Sequence, residues 1–382
     1  MGSMHQWLLA EAEARQRTGI VRRADRPAPS SVELLDLASN DYLGLATDPR
    51  LAAAAIAMIE QVGTSARASR VVTGTMDAHV ELEEALCSLT GQPAALVFSS
   101  GYTANLAVLT SLGGPDTLLL TDEHIHASLI DAARLARGVV EIVPHRDLAA
   151  LEAALARRSS ERAIVVVESI YSVFGDAANL EATAALCERH DALLLVDEAH
   201  GIGVVGGGRG GVHAAGLAGA EHVIITATMS KALGSQGGAV LGSALLREQL
   251  INSARTFIFD TGLAPASAAA ASAACRIIEA EPERVEAVAR NAAIIAEECE
   301  IARADGSVQS IPLSSPEAAV RITAALRQEG VLVGCFRPPS VPDGISRIRI
   351  TASAALDAPR ALEAARLVAA CVAKDRASFE PG

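Results

Sequence analysis

The sequence predicts an α/β protein: a mostly parallel sheet flanked by helices, followed by a small C-terminal α+β domain. Three observations carry this. From about residue 94, short runs of β-branched residues and leucine alternate with longer amphipathic stretches. Those runs are apolar throughout, as strands covered on both faces are. Beyond about residue 262 the texture changes to long helical segments and then to short strands interleaved with helices.

Taken in order, residues 4–18 have helical spacing and lead into an arginine-rich stretch with Arg22, Arg23 and Arg26 beside Pro27 and Pro29, an arm rather than a domain. Strands are expected near 94–98, 117–121, 139–143, 163–168, 192–196 and 222–226. Helices are expected after Tyr102, after Ala127, and near 147–157 and 180–190. Helix then runs from about 262 through Arg303, with later strands near 308–312, 331–335 and 346–350. The expected divisions are an arm over 1–45, a large domain over 46–280 and a small domain over 281–382. In such a sheet, ligands bind at the carboxyl ends of the strands.

Composition narrows the function classes. The 382 residues hold 32 Lys+Arg against 45 Asp+Glu, a net charge of −13, with 50% hydrophobic and 20% charged residues. This is a core-forming chain, and its acidic balance offers no cationic surplus for a nucleic-acid backbone. The longest apolar runs, such as Ala163–Val167 and Ala192–Val196, are far too short to span a bilayer, and no signal pattern opens the chain, so a cytoplasmic protein without membrane contact is expected. The six cysteines are too scattered for zinc or redox pairing and read as reduced, mostly buried thiols.

Two motifs mislead. Gly201-Ile202-Gly203-Val204-Val205-Gly206 matches the dinucleotide fingerprint and follows a strand. The fingerprint needs a helix opening at its third glycine, however, and Gly207, Gly208, Gly210 and Gly211 are expected to prevent one. His124-Ile125-His126 resembles a strand chelate but lacks a third ligand at a supporting spacing. There is no P-loop, because no Gly-Lys pair occurs.

Three other segments converge on one chemistry. Only Lys231 and Lys374 are present, and Lys231 follows the apolar run Ile224-Ile225-Thr226-Ala227-Thr228. Partly buried near other cations, its amine would lose its proton easily and could form a Schiff base. Asp197 ends the run Leu193-Leu194-Leu195-Val196, where a carboxylate faces a ligand or caps the next turn. A pyridine nitrogen that must stay protonated calls for such a carboxylate, and pyridoxal phosphate has one. His200 follows within reach of the same ring. Phe98-Ser99-Ser100-Gly101-Tyr102 runs from a strand into a helix whose free N–H groups suit a phosphate.

Together with Leu37-Ala38-Ser39-Asn40-Asp41-Tyr42-Leu43-Gly44-Leu45 and Ser346-Arg347-Ile348-Arg349-Ile350-Thr351, these segments resemble the pyridoxal-phosphate-dependent α-oxoamine synthases of aminotransferase fold type I. The resemblance implies a seven-stranded sheet in the large domain and pyridoxal 5′-phosphate as cofactor. By that resemblance Lys231 carries the cofactor and moves the Cα proton, Asp197 pairs with the ring nitrogen, and His200 and Ser172 lie at the phenolate side. His126 stacks on the ring, while Gly101, Tyr102 and Thr228 hold the phosphate. Thr261 reaches the phosphate of a neighbouring subunit's cofactor, which makes the protein a homodimer with shared sites, although Gly262 stands where a serine is common. Asn40 and Arg349 grip the substrate carboxylate.

Arg337-Pro338-Pro339-Ser340 is similar to the members that join L-alanine to a pimeloyl thioester, carried on coenzyme A or an acyl carrier protein, in biotin synthesis. Arg15, Arg17, Arg22, Arg23 and Arg26 are candidates to meet that thioester. Ordinary readings stand beside these roles. Arg349 could be a surface ion pair with Arg347 as the carboxylate ligand, Asn40 and Ser172 could be turn residues, and His79 and His126 could serve helix starts. The rival functions are a sister synthase acting on glycine or serine, and a non-catalytic protein that kept the fold.

Overall fold

The computed structural model describes residues 2–17, 21, 34–338 and 340–376. Its strands are β1 (Leu35–Leu37), β2 (Ala94–Phe98), β3 (Thr117–Asp122), β4 (Val139–Val143), β5 (Arg162–Glu168), β6 (Leu193–Asp197), β7 (Val223–Thr228), β8 (Gly238–Gly242), β9 (Val308–Pro312), β10 (Val331–Phe336) and β11 (Arg347–Thr351). Seven of them form one sheet in the order β2-β8-β7-β6-β5-β3-β4. The neighbours from β7 through β4 run parallel, and β8 runs antiparallel to β2 and β7.

The continuous apolar runs have a simple cause. Alternate residues of one strand feed two different cores: Leu194 and Val196 point into one, and Leu195 into the other. The same division holds for Ile164 and Val166 against Val165 and Val167. Each such side chain contributes about 1.5–3 kcal/mol on burial, so neither face can tolerate polar residues.

The register brings chemistry to one edge. Glu168 pairs with Asp197, Asp197 with Thr226, Thr228 with Gly238, and Gly238 with Phe98. The carboxyl ends of β2, β5, β6 and β7 and the start of β8 therefore lie side by side. A Cβ at Gly238 would sit 2.1 Å from Ser100 O, so only glycine lets β8 pass beneath the turn that opens the helix Gly101–Leu112.

A second sheet has the order β1-β10-β11-β9. Within the expected arm, residues 35–37 pair in parallel with β10, which draws the segment after them toward β11. Sequence reading missed β1 and β8, as well as the helix Pro49–Val62; the helix Asp77–Thr90 was foreshadowed only by the helix-start reading of His79. β1 is three residues long and β8 is Gly-Ala-Val-Leu-Gly, too short or too glycine-rich to signal a strand. The long helix expected from 262 is broken at Glu281–Pro282 into Pro265–Ala280 and Pro282–Glu298, because proline cannot continue a helix. The N-terminal helix, Ser3–Arg17, buries no residue.

The glycine-rich stretch corrects one expectation: a helix does start there, over Gly211–Ala214. It has one turn, and its first N–H groups are occupied by the Glu198 carboxylate, at 3.0 Å from Gly211 N and 2.6 Å from Val212 N. Those two N–H groups are therefore not available to a pyrophosphate. Three cysteines are buried and three half-buried, and none is in a disulfide. No helix among the described residues is long and apolar enough to cross a membrane.

Candidate active site

The shared strand edge opens into two adjoining cavities. The first, about 350 Å³, is lined by Gly101, Tyr102, His126, Asp197, His200, Thr228 and Lys231 among others. The second, about 620 Å³, shares His126, His200 and Lys231 with it and adds Asn40, Ser172 and Arg349. Of the residues expected to hold the cofactor or the amino-acid carboxylate, these two cavities take in all but Thr261.

Lys231 sits in the turn after β7. Its Nζ lies 2.9 Å from His200 Nε2, and His200 Nδ1 lies 2.6 Å from Tyr42 Oη. Tyr42 donates its hydroxyl proton to Asn40 Oδ1 at 3.1 Å, so its oxygen accepts from His200 Nδ1–H and leaves Nε2 to accept from the lysine. Arg349 completes the chain with both terminal nitrogens on Asn40 Oδ1, at 3.0 and 3.1 Å. One hydrogen-bonded line thus joins the amine to the guanidinium.

Desolvation, partly offset by Asp197 and Glu168, pushes the Lys231 amine down to about 8. Burial, together with Lys231, Arg349 and His126, holds His200 well below its ordinary value, so it is a neutral imidazole. Burial pushes the Tyr42 phenol up to about 12.

A second line serves the other side of the cavity. Asn105, one turn into the helix Gly101–Leu112, donates from Nδ2 to Asp197 Oδ2 at 2.8 Å and to Ser128 Oγ at 2.8 Å. Ser128 Oγ lies 2.8 Å from His126 Nδ1, and its backbone N–H also points there at 3.2 Å. The carboxylate can only accept, which fixes the Asn105 amide orientation, and the two donors at Nδ1 leave the imidazole proton on Nε2. His126 therefore does cap the following helix, as its ordinary reading held, while its ring lines both cavities.

At the other end, Ser100 caps the helix through Thr103 N at 3.2 Å. The first-turn N–H groups of Gly101 and Tyr102 then have no acceptor within the helix and face the cavity with its positive dipole end.

Sequence reading assigned no role to Tyr42, Asn105, Ser128 or Glu168. Asn105 falls one turn after Gly101 and could have been found by helical spacing; Tyr42 left no such signal. Glu168 is buried beside Asp197, and burial followed by that neighbouring charge raises its pKa well above the carboxylate range.

Arg347 is the alternative carboxylate ligand expected from the sequence. It lies in neither cavity, pairs with Asp343, and its guanidinium stacks 4.6 Å over Phe174. His79 does serve a helix start, as its ordinary reading held: at the opening of the helix Asp77–Thr90 it accepts from Met76 N at 3.1 Å, and it meets Leu263 O at 2.7 Å. His124 and His126 do not share a ligand position, and no group of three metal-ligating side chains occurs among the described residues. Thr261 is exposed and lines neither cavity. A Cβ at Gly262 would come to 3.2 Å from Ala66 Cβ and Arg70 Cδ, so glycine suits the close packing of this segment on the 66–74 loop. Arg15 and Arg17 pair with Glu11 and Glu13 on the exposed first helix; Arg22, Arg23 and Arg26 lie outside the described residues.

Comparison with known proteins shows the family and the fold. The model of the class I and II aminotransferases matches residues 32–368. The 8-amino-7-oxononanoate synthase of Mycobacterium sp. (strain JLS) is 51% identical over 352 residues, 92% of each chain. That of Mycobacterium avium (strain 104) is 51% identical over 363 residues, 95% of each chain. Among solved structures, a variant serine palmitoyltransferase from S. paucimobilis, with a bound PLP–myriocin aldimine, superposes with a TM-score of 0.91 at 26% identity, covering 99% of this chain and 100% of its own. The chain belongs to the class I and II aminotransferase family.

Proposed function

We propose that this protein is an 8-amino-7-oxononanoate synthase that uses pyridoxal 5′-phosphate to condense L-alanine with a pimeloyl thioester, releasing carbon dioxide and the free thiol carrier. One observation carries the chemistry: Lys231 and the carboxylate ending β6 line the same cavity of about 350 Å³. The mycobacterial relatives at 51% identity support the choice of substrates.

The donor set fits the cofactor. Asp197 supplies a carboxylate for a pyridinium nitrogen, held by Asn105 and by Ala199 N at 2.9 Å. The first turn after Ser100, with Thr228, supplies phosphate donors, and Lys231 supplies an amine able to lose its proton near neutral pH. When bound, the cofactor acts as an electron sink for the carbanion formed at the substrate Cα.

The chain's own residues do the rest. Arg349 binds the amino-acid carboxylate in the larger cavity, with Nε fixed by Ser172 O at 2.8 Å and its terminal nitrogens by Asn40. Lys231, freed as an amine, removes the Cα proton and later returns one. His200, neutral and held by Tyr42, accepts a hydrogen bond from Lys231 and steers that amine without competing for its proton. Ile125, Ile130, Val173 and Phe336 give the larger cavity an apolar lining suited to an acyl chain.

Carbon dioxide release from alanine with pimeloyl-CoA, and its amount relative to glycine or serine, tests this reading. Alanine is expected to dominate. Preference for serine would favour a palmitoyltransferase-like activity, the reading suggested by the similarity in shape to the S. paucimobilis protein. No uptake of pyridoxal phosphate would leave only the fold.

The proposal includes a cytoplasmic homodimer in which Thr261 reaches the partner's cofactor phosphate. Exposed Val72 (72%) and Phe259 (70%) support an interface on the side that carries Thr261. Sedimentation is expected to give a dimer; a monomer with undiminished cofactor affinity would remove the role of Thr261.

A further inference from the structure

Behind the larger cavity lies a cluster of charges that the chemistry above does not use. His145, after β4, places Nδ1 2.8 Å from Asp122 Oδ1 and Nε2 2.8 Å from Asp176 Oδ2. A carboxylate only accepts, so each contact needs a proton on its ring nitrogen, and a ring protonated at both is an imidazolium.

The other groups facing it agree with that charge. Asp122 also accepts from His124 N at 2.8 Å and from Arg146 N at 2.9 Å, and Arg146 reaches Asp176 Oδ2 at 3.2 Å. The His124 ring stacks on His145 at 3.8 Å, and Tyr171 meets it edge-on at 4.5 Å. Burial opposes the charge on His145, but the two carboxylates outweigh it and push its pKa up to about 9. His124 is driven the other way, by burial and then by the His145 cation, with Asp122, Glu123 and Asp176 opposing.

Asp176 closes a tight loop. Tyr171 N donates to Asp176 O at 2.9 Å, Gly175 N donates to Tyr171 O at 2.9 Å, and Ile170 bridges Ala177. Gly175 packs so closely on β9 that a Cβ there would sit 2.0 Å from Val308 O. The carbonyl of Ser172 in this loop accepts from Arg349 Nε at 2.8 Å, and the Phe174 ring lies beneath Arg347. The loop thus stands between the imidazolium and the arginine.

We propose that His145 is a positioning residue: bridging Asp122 at the end of β3 to Asp176, it holds the Ser172–Gly175 loop so that the Ser172 carbonyl aims Arg349 at the substrate carboxylate. This rests on the reading of Arg349 as the carboxylate ligand. The sign of the pH effect follows. The bridge is complete below the ordinary histidine value near 6.5 and is lost as pH rises through about 9. Above that, two carboxylates face a ring with a proton for only one of them.

The test uses the holoenzyme and two variants. His145→Gln is expected to raise KM for alanine by roughly tenfold with kcat within about twofold, the pattern of lost substrate binding. Wild-type KM for alanine should rise through pH 9, whereas the variant's is already high and flat there. Asp176→Asn, which keeps the loop's size, should move the wild-type rise to lower pH and serves if His145→Gln does not fold. Nitrogen-15 NMR of the His145 ring in cofactor-free protein at pH 7.5 should show both nitrogens protonated. A neutral ring at that pH, or a variant that loses thermal stability with KM and its pH profile unmoved, would overturn the proposal. Failure of the wild type to take up pyridoxal phosphate or turn over alanine would instead remove the functional reading, and the NMR result would still stand or fall by itself.

Discussion

Lys231→Ala is expected to lower turnover by at least roughly a thousandfold and to remove the long-wavelength absorption that a lysine Schiff base would give the bound cofactor. On the proposed function two roles of Lys231 would vanish together, the covalent anchor and the Cα base, and general-base catalysis alone contributes about 10²–10⁴-fold. His200 cannot stand in. Its Nδ1 is engaged with Tyr42, and burial with neighbouring cations makes it too weak a base. Steady-state carbon dioxide release and an absorption spectrum check this, and a variant with normal turnover would end the assignment. The unsubstituted protein offers a companion measurement. Without cofactor, site-resolved acylation of Lys231 should rise through pH about 8, because desolvation has lowered its amine to that range, with the exposed Lys374 as the internal reference.

Asp197→Asn should bind the cofactor yet lose roughly a hundredfold to several thousandfold in kcat. Removing one partner of a buried charge pair costs about 3–5 kcal/mol, and each 1.36 kcal/mol is tenfold in rate. The substitution also has a structural consequence. Asp197 accepts from Asn105 Nδ2 on one oxygen and from Ala199 N on the other. A carboxamide has one acceptor and would set its NH₂ group against one of those donors, an unmet contact worth about 1–3 kcal/mol. Cofactor titration, kcat and thermal melting together separate the two losses; unchanged kcat would remove Asp197 from the chemistry.

How much was legible beforehand follows from where the signal lay. Asp197 ends an apolar strand and Lys231 follows another in the turn after it, and strand ends in a sheet covered on both faces are where polar groups can meet a ligand. Ser100-Gly101 announced a cap, and the cap formed. The pairing partners were invisible for a physical reason. Tyr42 stands 158 positions from His200, and Asn40 stands 309 from Arg349; no local periodicity encodes contacts made by chain crossing. Glu198 shows the opposite failure. The glycine run that mimics a dinucleotide fingerprint wraps its carboxylate, and a Cβ at Gly201 would fall 1.9 Å from Glu198 Oε2.

By itself, then, the order of residues determined the parallel sheet, the strand ends that carry an amine and a carboxylate, and the family resemblance. These depend on hydrophobic patterning and local turn chemistry, which act over a few residues. Tertiary structure alone decided which of Arg347 and Arg349 enters the cavity, that β1 joins the second sheet, and that His200 and Tyr42 stand between lysine and arginine. Those outcomes turn on distances of about 3 Å between segments far apart in the chain, and such distances exist only once the two sheets have packed.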